Sequence, residues 1–346
     1  MALYPLVRPL AFALDAEKAH KLTIRALNMV PPGLPAKVDP ALAVSVAGLN
    51  FPNPIGLAAG FDKDAEAFAQ MLGMGFGFVE VGTLTPLPQA GNPKPRLFRL
   101  VEDRAVINRM GFNNQGQAAA LERLEKRRRQ QGIVGVNIGA NKDAADRIAD
   151  YAAGVRTMAG VADYLTVNIS SPNTPGLRAL QDKGALDDLL AAVREARGAA
   201  GPPVFLKIAP DLERQDVDDI AEVAIARKMD ALIVSNTTIT RPELVSRHRG
   251  EAGGLSGAPL KDLALERLRD FARATGGALP LIAAGGIENG VDAFDRIRAG
   301  ASLVQLYSAL VYQGPGLARR INSELKGLLA RNGFARVTDA IGTGLL

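Results

Sequence analysis

The chain of 346 residues contains no cysteine, which excludes disulfides, thiolate metal sites, iron–sulfur ligation and a cysteine acting as nucleophile or base. Tryptophan is also absent, and the only histidines are His20 and His248. Two histidines are too few for a histidine-built metal centre, so we expect each to have a surface or capping role. No apolar run reaches the roughly 18–20 residues that span a bilayer. The absence of cysteine fits a cytosolic location.

Charge gives only weak guidance about partners. The formal net charge of +5 is modest for this length and indicates a mild preference for anionic ligands or surfaces. The run 122–131 contains four consecutive basic residues, from Lys126 to Arg129. On a helix such a run is most simply a solvated outer face, and no aromatic platform accompanies it. We therefore expect no nucleic-acid partner.

Short apolar or β-branched runs alternate with segments of helical period from residue 53 onward. There are eight such runs, at 54–58, 78–82, 133–138, 164–169, 204–208, 231–235, 279–284 and 302–307. Near-continuous apolar strands that alternate with helices are typical of a parallel sheet covered by helices. Eight units predict an α/β fold of the (β/α)8 TIM-barrel type, which we assign to residues 36–346.

Two regions interrupt this alternation. The first 35 residues read as a small N-terminal helical hairpin, with amphipathic helices predicted at 4–14 and 16–29 and Asp15 as the N-cap between them. Residues 84–113 are too long for a simple strand-to-helix loop and are rich in Pro, Gly, Asn and Arg. We expect this second region to form a small insertion at the active face of the barrel.

Polar side chains follow the predicted strands at their carboxyl ends. In a parallel barrel these ends converge on one site, so the polar groups are expected to share it. They are Lys63, Thr83, Asn137, Asn168, Ser170, Ser171, Asn173, Lys207, Ser235, Asn236 and Thr237. Lys207 stands out because it lies within an apolar strand, although a lysine that snorkels at a strand end is the alternative. So many polar groups exceed what a packed core tolerates unless a ligand satisfies them.

Glycine-rich segments follow the sixth and seventh predicted strands, and hydroxyl-bearing residues come at the end of the eighth. Gly253–Gly257 comes after the sixth strand, Gly285 and Gly286 after the seventh, and Tyr307 and Ser308 after the eighth. Glycine lets backbone N–H groups reach an anion, and the loops after strands seven and eight are the usual phosphate site of this fold. The pattern favours a phosphorylated cofactor over plain turns.

Five ordered motifs carry a family resemblance that covers nearly the whole chain. They are the segments 58–63, 108–113, 168–174, 207–211 and 253–257. On these motifs the chain resembles the class 2 dihydroorotate dehydrogenases, the quinone-linked flavoenzymes of pyrimidine synthesis. The resemblance implies an FMN-dependent oxidoreductase that converts dihydroorotate to orotate on the route to UMP and passes electrons to a membrane quinone. Another branch of the family uses a cysteine base, and the absence of cysteine excludes that branch.

The resemblance also implies a role for each site residue. The FMN-binding residues would be Ala59, Gly60, Lys63, Thr83, Asn137, Asn168, Lys207, Ser235, Gly257, Gly286, Tyr307 and Ser308. The dihydroorotate-binding residues would be Lys63, Asn108, Arg109, Met110, Gly111, Phe112, Asn168, Asn173, Asn236 and Thr237. Ser171 would be the general base, supported by Lys63 and by a relay through Thr174 and water. A Ser-Pro turn role is the alternative for Ser171.

The hairpin acquires a role from the same resemblance. In the quinone-linked class it lies at the membrane surface and forms the quinone entrance, which implies peripheral association with the cytoplasmic face of the cell membrane. Arg99 and Tyr307 would be neighbours of the quinone path. Helices merely packed on the barrel are the alternative. No obligatory protein partner and no metal site are expected.

Three rival functions stay open on the sequence. One is another FMN barrel, for example one that reduces pyrimidines with a nicotinamide partner. The second is a Schiff-base aldolase that uses Lys207. The third is a basic, non-catalytic protein that binds membranes or nucleic acid, which would leave the polar strand ends unexplained.

Overall fold

The computed structural model describes residues 4–127 and 132–345. The helices are α1 Tyr4–Ala13, α2 Ala16–Asn28, α3 Phe68–Leu72, α4 Gln117–Glu125, α5 Arg147–Met158, α6 Lys183–Arg197, α7 Arg214–Ala226, α8 Lys261–Thr275, α9 Gly290–Arg298, α10 Ser308–Gln313, α11 Leu317–Arg331 and α12 Val337–Ala340. The strands are β1 Val44–Val46, β2 Leu49–Phe51, β3 Ile55–Leu57, β4 Phe78–Leu84, β5 Leu97–Leu100, β6 Ala105–Asn108, β7 Ile133–Ile138, β8 Tyr164–Asn168, β9 Val204–Ile208, β10 Ala231–Val234, β11 Gly254–Gly257, β12 Leu281–Ala284 and β13 Ala301–Leu306.

Eight parallel strands close into a barrel, which confirms the predicted fold. Their order around the barrel is β3-β4-β7-β8-β9-β10-β12-β13, and β13 pairs back onto β3. All eight apolar runs of the sequence fall on these strands, and nearly every strand residue is buried. The helices that follow the barrel strands cover the outside by turning an apolar stripe toward the sheet. Helix α6, for example, buries residues at the i, i+3, i+4, i+7 spacing, namely Leu186, Leu189, Leu190 and Val193.

Aromatic rings fill the interior of the barrel below the site. The rings of Tyr164 and Phe205 stack with centroids 4.5 Å apart, and Phe78 meets Tyr164 edge-on at 6.4 Å. Glycine on a neighbouring strand makes room for them, since a Cβ at Gly135 would lie 2.0 Å from the Tyr164 ring. These rings fill the barrel interior, and the hydroxyl of Tyr164 donates from this layer to the buried carboxylate of Glu80.

The N-terminal helices form as predicted. Asp15 lies between α1 and α2, and its carboxylate accepts a hydrogen bond of 2.9 Å from the backbone N–H of Lys18. Arg99 donates to the carbonyl of Ala11 at 2.9 Å and so satisfies an unpaired carbonyl at the end of α1. None of the helices in residues 4–127 and 132–345 has the length and apolarity that a bilayer crossing demands.

The insertion contains a β-hairpin, β5–β6, with a partner that the sequence did not reveal. Strand β11, which follows the sixth barrel strand, pairs antiparallel with β6 to give a three-stranded sheet in the order β11-β6-β5. This sheet lies beside the carboxyl ends of the barrel strands, since Leu255 of β11 also bridges to Thr238. The insertion therefore borders the active face, as expected.

The prediction of a wholly solvated face at 122–131 is wrong at Arg127. Its guanidinium is buried, donates to the carbonyl of Val161 at 3.3 Å and pairs with the carboxylate of Asp163. Arg127 therefore ties the end of α4 to the turn before β8. Lys126 is exposed and pairs with Glu122. Residues 128–131, which include the rest of the basic run, lie outside the described part of the chain.

Candidate active site

One cavity of about 520 Å³ opens at the carboxyl end of the barrel and continues to the N-terminal helices. Most of the predicted site residues line it. They are Ala59, Gly60, Lys63, Thr83, Asn108, Met110, Gly111, Phe112, Asn168, Ser171, Asn173, Lys207, Ser235, Asn236, Thr237, Gly257, Gly286, Tyr307 and Ser308. The barrel thus brings together residues that lie far apart in the sequence because the strand ends converge.

A hydrogen-bond network fixes the amides at the floor of the cavity. Asn137 Oδ1 accepts from Thr83 Oγ1 at 2.6 Å and from Asn168 Nδ2 at 3.1 Å. Asn137 Nδ2 donates in the other direction to Glu80, at 2.7 Å. Because each group has a defined donor or acceptor role, the network determines which way the amides of Asn137 and Asn168 point.

Glu80 is a buried carboxylate that the sequence analysis missed. It has no solvent exposure and accepts hydrogen bonds from Asn137, from Tyr164 at 3.2 Å, from Thr166 at 3.1 Å and from Gln305 at 2.8 Å. Four donors satisfy both carboxylate oxygens, which is what a buried charge requires. The sequence signal that could have identified Glu80 is a charged residue within an apolar strand. The same signal identified Lys207.

Ser171 lies in the wall of the cavity and is only 5% exposed. Its Oγ accepts a hydrogen bond of 3.2 Å from the backbone N–H of Asn173. Its neighbour Ser170 instead belongs to the network, since it donates to Asn168 Oδ1 at 2.7 Å and accepts from Asn236 at 2.9 Å. Of the two serines, Ser171 is therefore the one that lines the cavity and whose hydroxyl is not engaged with a neighbouring side chain.

Two lysines bring positive charge to the cavity. Burial lowers the pKa of Lys63 to about 8, although the nearby Asp64 and Glu17 oppose this shift, and its Nζ donates to the carbonyl of Gly60 at 2.6 Å. Burial likewise lowers the pKa of Lys207, which is 5% exposed, and the charge of Glu80 opposes the shift. The two cations predict that this end of the cavity binds anionic groups.

Glycines and hydroxyls from the segments that follow β10, β12 and β13 lie at the barrel mouth. Gly257 and Gly286 have φ of +98° and +69°, a region that favours glycine. A Cβ at Gly286 would also lie 2.3 Å from the backbone of Lys261 at the start of α8. Ser308 Oγ donates to Ser256 Oγ at 2.8 Å nearby. This arrangement of backbone and hydroxyl groups suits a phosphate.

Arg296 supports these loops from below. It is fully buried on α9, and its guanidinium donates to the carbonyls of Lys261 at 2.6 Å and Gly285 at 3.2 Å. One side chain therefore joins the loop after β12 to the start of α8. This role could not be predicted from the sequence, because the partners of Arg296 lie outside its own helix.

The N-terminal helices close the other end of the cavity with mostly apolar side chains. Those that line it include Val7, Ala11, Phe12, Ala16, Ala19, His20, Thr23 and Leu27. The expectation of a surface or capping role is wrong for His20, which packs edge-on against Phe61 with centroids 5.4 Å apart and has its Nδ1 3.5 Å from the hydroxyl of Tyr307. Burial, reinforced by the charge of Lys63, lowers its pKa to about 3, so the imidazole is neutral.

Three of the predicted site residues do not line the cavity. The guanidinium of Arg109 is directed to Glu251, at 2.8 Å, and over the ring of Phe98, so its side chain faces away from the cavity. Asn137 lies one layer deeper and acts through Thr83 and Asn168. Thr174 is buried, and within the described residues its hydroxyl makes no hydrogen bond to Ser171.

The residues present fit a flat, phosphorylated ligand with polar edges, such as FMN. Gln305 lines the cavity, and its Oε1 is buried without a hydrogen-bond partner among the described residues. Lys207 is buried as well, and the charge of Glu80 opposes the effect of burial on its pKa. A flavin carries both N–H donors and carbonyl acceptors, and its phosphate matches the glycine loops. In contrast, the described residues contain no cluster of side chains that could hold a metal ion.

Comparisons with known proteins agree with this geometry. The family model described as dihydroorotate dehydrogenase matches residues 41–329. A dihydroorotate dehydrogenase (quinone) from Novosphingobium aromaticivorans is 63% identical over 348 residues, which cover 99% of this chain and 100% of the relative. The enzyme of the same name from Sphingopyxis alaskensis is 65% identical over 347 residues, with 99% and 97% covered.

Solved structures show the same likeness. The ligand-free DHODH of Eimeria tenella superimposes with a TM-score of 0.91 at 46% identity, covering 95% of this chain and 99% of that one. The same protein in complex with ferulenol gives a TM-score of 0.90 at 45% identity, covering 94% of this chain and 95% of that one.

Proposed function

The chain belongs to the dihydroorotate dehydrogenase family, and on that premise we propose how its residues bind dihydroorotate, take its proton and serve a quinone. The protein is a quinone-class oxidoreductase that oxidises dihydroorotate to orotate in pyrimidine biosynthesis. One observation supports the residue assignments most directly. A single cavity joins a polar end, at the barrel mouth, to an apolar end under α1 and α2. A polar substrate can therefore bind at one end and an apolar electron acceptor at the other, with one cofactor between them.

FMN is the proposed cofactor; when bound, it would supply a hydride acceptor for the substrate and an electron donor for the quinone. Its phosphate is assigned to Gly257, Gly286, Tyr307 and Ser308. The rest of the ring system is assigned to Ala59, Gly60, Lys63, Thr83, Asn137, Asn168, Lys207 and Ser235. Lys207 supplies the positive charge that favours an anionic ring. The buried orphan oxygen of Gln305 supports this assignment.

Dihydroorotate is a small carboxylate with ring amides, so the proposed site reads both its charge and its polar edge. Lys63 pairs with the carboxylate, while the amides of Asn108, Asn173 and Asn236 match the ring groups. Asn168, Thr237 and the segment Met110, Gly111 and Phe112 complete the site. Because the side chain of Arg109 faces Glu251, that residue can contribute only through its backbone.

Ser171 is the proposed general base and removes the ring proton of the substrate. The N–H of Asn173 that donates to Ser171 Oγ stabilises negative charge on that oxygen. The cations Lys63 and Lys207 act in the same direction, and the buried setting excludes competing water.

A relay through Thr174 and water remains the proposal for the proton that leaves Ser171. Thr174→Ala is expected to slow flavin reduction by part of the roughly 10²–10⁴-fold that general-base catalysis supplies. The loss should be largest at low pH, where hydroxide cannot replace the relay. The test is the rate of anaerobic flavin reduction by dihydroorotate from pH 6 to pH 9. A rate that matches the unaltered enzyme at every pH would remove Thr174 from the mechanism.

Substrate affinity should fall at alkaline pH because of Lys63. Its pKa of about 8 means that the ammonium is present below that pH and is lost as pH rises through it. The dissociation constant of orotate should therefore increase about tenfold per pH unit above 8, since the protonated fraction falls by that factor. A spectral titration with orotate measures it, and Lys63→Met should bind weakly with no such dependence. An affinity that is constant from pH 7 to pH 9.5 would contradict the assignment.

The hairpin of residues 1–35 is proposed to be the quinone entrance, with the barrel of residues 36–346 as the catalytic domain. Its described residues leave large apolar side chains exposed, including Leu6 at 71%, Leu10 at 72%, Met29 at 86% and Leu34 at 86%. An exposed apolar patch of this kind beside lysines and arginines suits peripheral docking on a membrane. The cytoplasmic face of the cell membrane is the proposed location, with Arg99, His20 and Tyr307 beside the quinone path.

Membrane docking can be measured by flotation with phosphatidylglycerol-containing vesicles. The double variant L6E/L10E should lose most vesicle binding, because two charges enter the apolar face. The matched control is Val291→Glu on α9, whose side chain is 54% exposed and lies outside the hairpin. Equal flotation of both variants would show that the hairpin does not dock on the bilayer.

The cofactor assignment has a direct test. The purified protein should carry a yellow flavin, and the flavin released on denaturation should be FMN. Colourless protein would refute the assignment. A released flavin that carries no phosphate, or two, would refute it as well. Borohydride trapping of a Lys207 adduct with an aldehyde substrate would instead favour the Schiff-base alternative.

A further inference from the structure

Glu17 is a buried carboxylate that the proposed reaction does not use. It lies on α2, on the quinone side of the cavity, and is 4% exposed. Arg96 donates to both of its oxygens, Nε at 3.0 Å and Nη2 at 2.9 Å. Burial alone would raise the pKa of Glu17, but Arg96, with the nearby Lys94 and Lys21, holds it at about 2. The pair is therefore ionised throughout the working pH range and has the bidentate geometry that fixes both side chains.

The contacts of Arg96 extend from α2 into the insertion of residues 84–113. Its remaining donor group, Nη1, contacts the carbonyls of Ala90 at 2.6 Å and Asn92 at 2.7 Å. Its own carbonyl accepts from the backbone N–H of Arg109 at 2.9 Å. A rigid guanidinium whose donors are engaged on both sides joins α2 to the segment 90–92.

Asn92 then joins two segments that are assigned to the substrate. Its backbone N–H donates to the carbonyl of Met110 at 3.0 Å. Its Nδ2 donates to the carbonyl of Arg109 at 3.1 Å and to the carbonyl of Asn173 at 3.0 Å. One amide thus connects the loop of Met110 with the segment that carries Ser171 and Asn173.

These contacts form a continuous path from the quinone side to the substrate side, which we call the hairpin link: Glu17, Arg96 and Asn92. We propose that the hairpin link positions the substrate loops, so that Glu17 on α2 sets the geometry of dihydroorotate binding although its hydrogen bonds go to Arg96 and not to the substrate loops. The proposal rests on the proposed function, because it takes Asn173 and the Met110 loop as substrate-binding. Its residues are positioning residues and do not contact the reacting atoms.

The physical reason is the cost of disturbing a fully satisfied buried pair. Removing the charge of Glu17 leaves the guanidinium of Arg96 uncompensated, so it must move or admit water. The segment 90–92 then loses its hydrogen bonds to Arg96. Asn92 no longer holds the Met110 loop and the segment of Asn173 in their relative positions. A displacement of the order of 1 Å at a binding site is enough to weaken binding and slow the reaction strongly.

The test uses Glu17→Gln, Asn92→Ala and the double variant in the holoenzyme. Two readings avoid the quinone altogether: orotate binding by titration calorimetry, and flavin reduction by dihydroorotate in a single anaerobic turnover. Each single variant should raise the dissociation constant of orotate about tenfold. The double variant should be no worse than Asn92→Ala alone, because both changes break the same path. Arg25→Gln, an exposed change on the same helix, is the matched control and should bind orotate normally.

Two results would overturn the proposal. The first is normal orotate binding by Glu17→Gln, accompanied only by a lower melting temperature, since a merely structural role predicts that outcome. The second is additive losses in the double variant. If Glu17→Gln does not fold, Arg96→Lys, which keeps the charge but lacks the fork, replaces it in the same cycle. If dihydroorotate does not reduce the flavin of the unaltered enzyme, the proposed function itself is rejected. Failure of the hairpin link and failure of the proposed function are therefore distinguishable.

Discussion

Replacing Ser171 by alanine is expected to slow flavin reduction by dihydroorotate by roughly 10²–10⁴-fold, the contribution that a positioned general base supplies. Ser171 is buried in the cavity wall, and its Oγ accepts only the backbone N–H of Asn173 among the described residues. Ser171 is the one group at the polar end of the cavity that we propose to remove the substrate proton. The chain has no cysteine to replace it.

Single-turnover anaerobic mixing measures this rate, and orotate titration measures binding separately. Ser171→Ala should bind orotate within a few-fold of the unaltered enzyme, because only the proton acceptor is lost. Ser45→Ala, which removes an exposed hydroxyl on β1, is the matched control and should react normally. A Ser171→Ala enzyme that is reduced at nearly the normal rate would show that another group takes the proton.

Replacing Lys207 by methionine should lower the midpoint potential of the bound flavin and slow its reduction by roughly 10²–10³-fold. The ammonium is buried, so its charge is poorly screened and acts strongly on a neighbouring group. A cation stabilises the anionic reduced ring more than the neutral oxidised ring, which sets the direction of the change. Methionine keeps most of the side-chain volume and removes the charge.

Spectroelectrochemical titration gives the potential, after flavin content has been measured by absorbance. Lys326→Met is the control, since Lys326 on α11 is exposed, pairs with Asp39 and does not line the cavity. Its flavin potential should equal that of the unaltered enzyme. A Lys207→Met protein with full flavin content and an unchanged potential would contradict the proposed role, and would leave only a packing role for this lysine.

Local sequence patterns predicted the fold well. Each barrel strand is a short apolar run, and hydrophobic burial alone is enough to mark it. The boundary between α1 and α2 was predictable too, because Asp15 satisfies a backbone donor only three residues away. The convergence of polar strand ends followed from the architecture. These features depend on neighbouring residues or on the general geometry of a barrel.

The missed features depend on partners that are distant in the sequence. Glu80 bonds to Gln305, and Glu17 bonds to Arg96, across separations of 225 and 79 residues. His20 looked like a surface residue until the fold placed it against Phe61 and Tyr307. Arg109 lies in a recognisable motif, but only the structure shows that Glu251 draws its side chain away from the cavity. Periodicity carries no information about such pairings.

The central claim is that one cavity serves dihydroorotate at its polar end and a quinone at its apolar end. Sequential anaerobic mixing tests it most directly. Dihydroorotate should first bleach the flavin absorbance, and addition of a short-chain quinone should then restore it, whereas NAD⁺ should not. Restoration by NAD⁺ but not by quinone, or no bleaching by dihydroorotate, would contradict the claim.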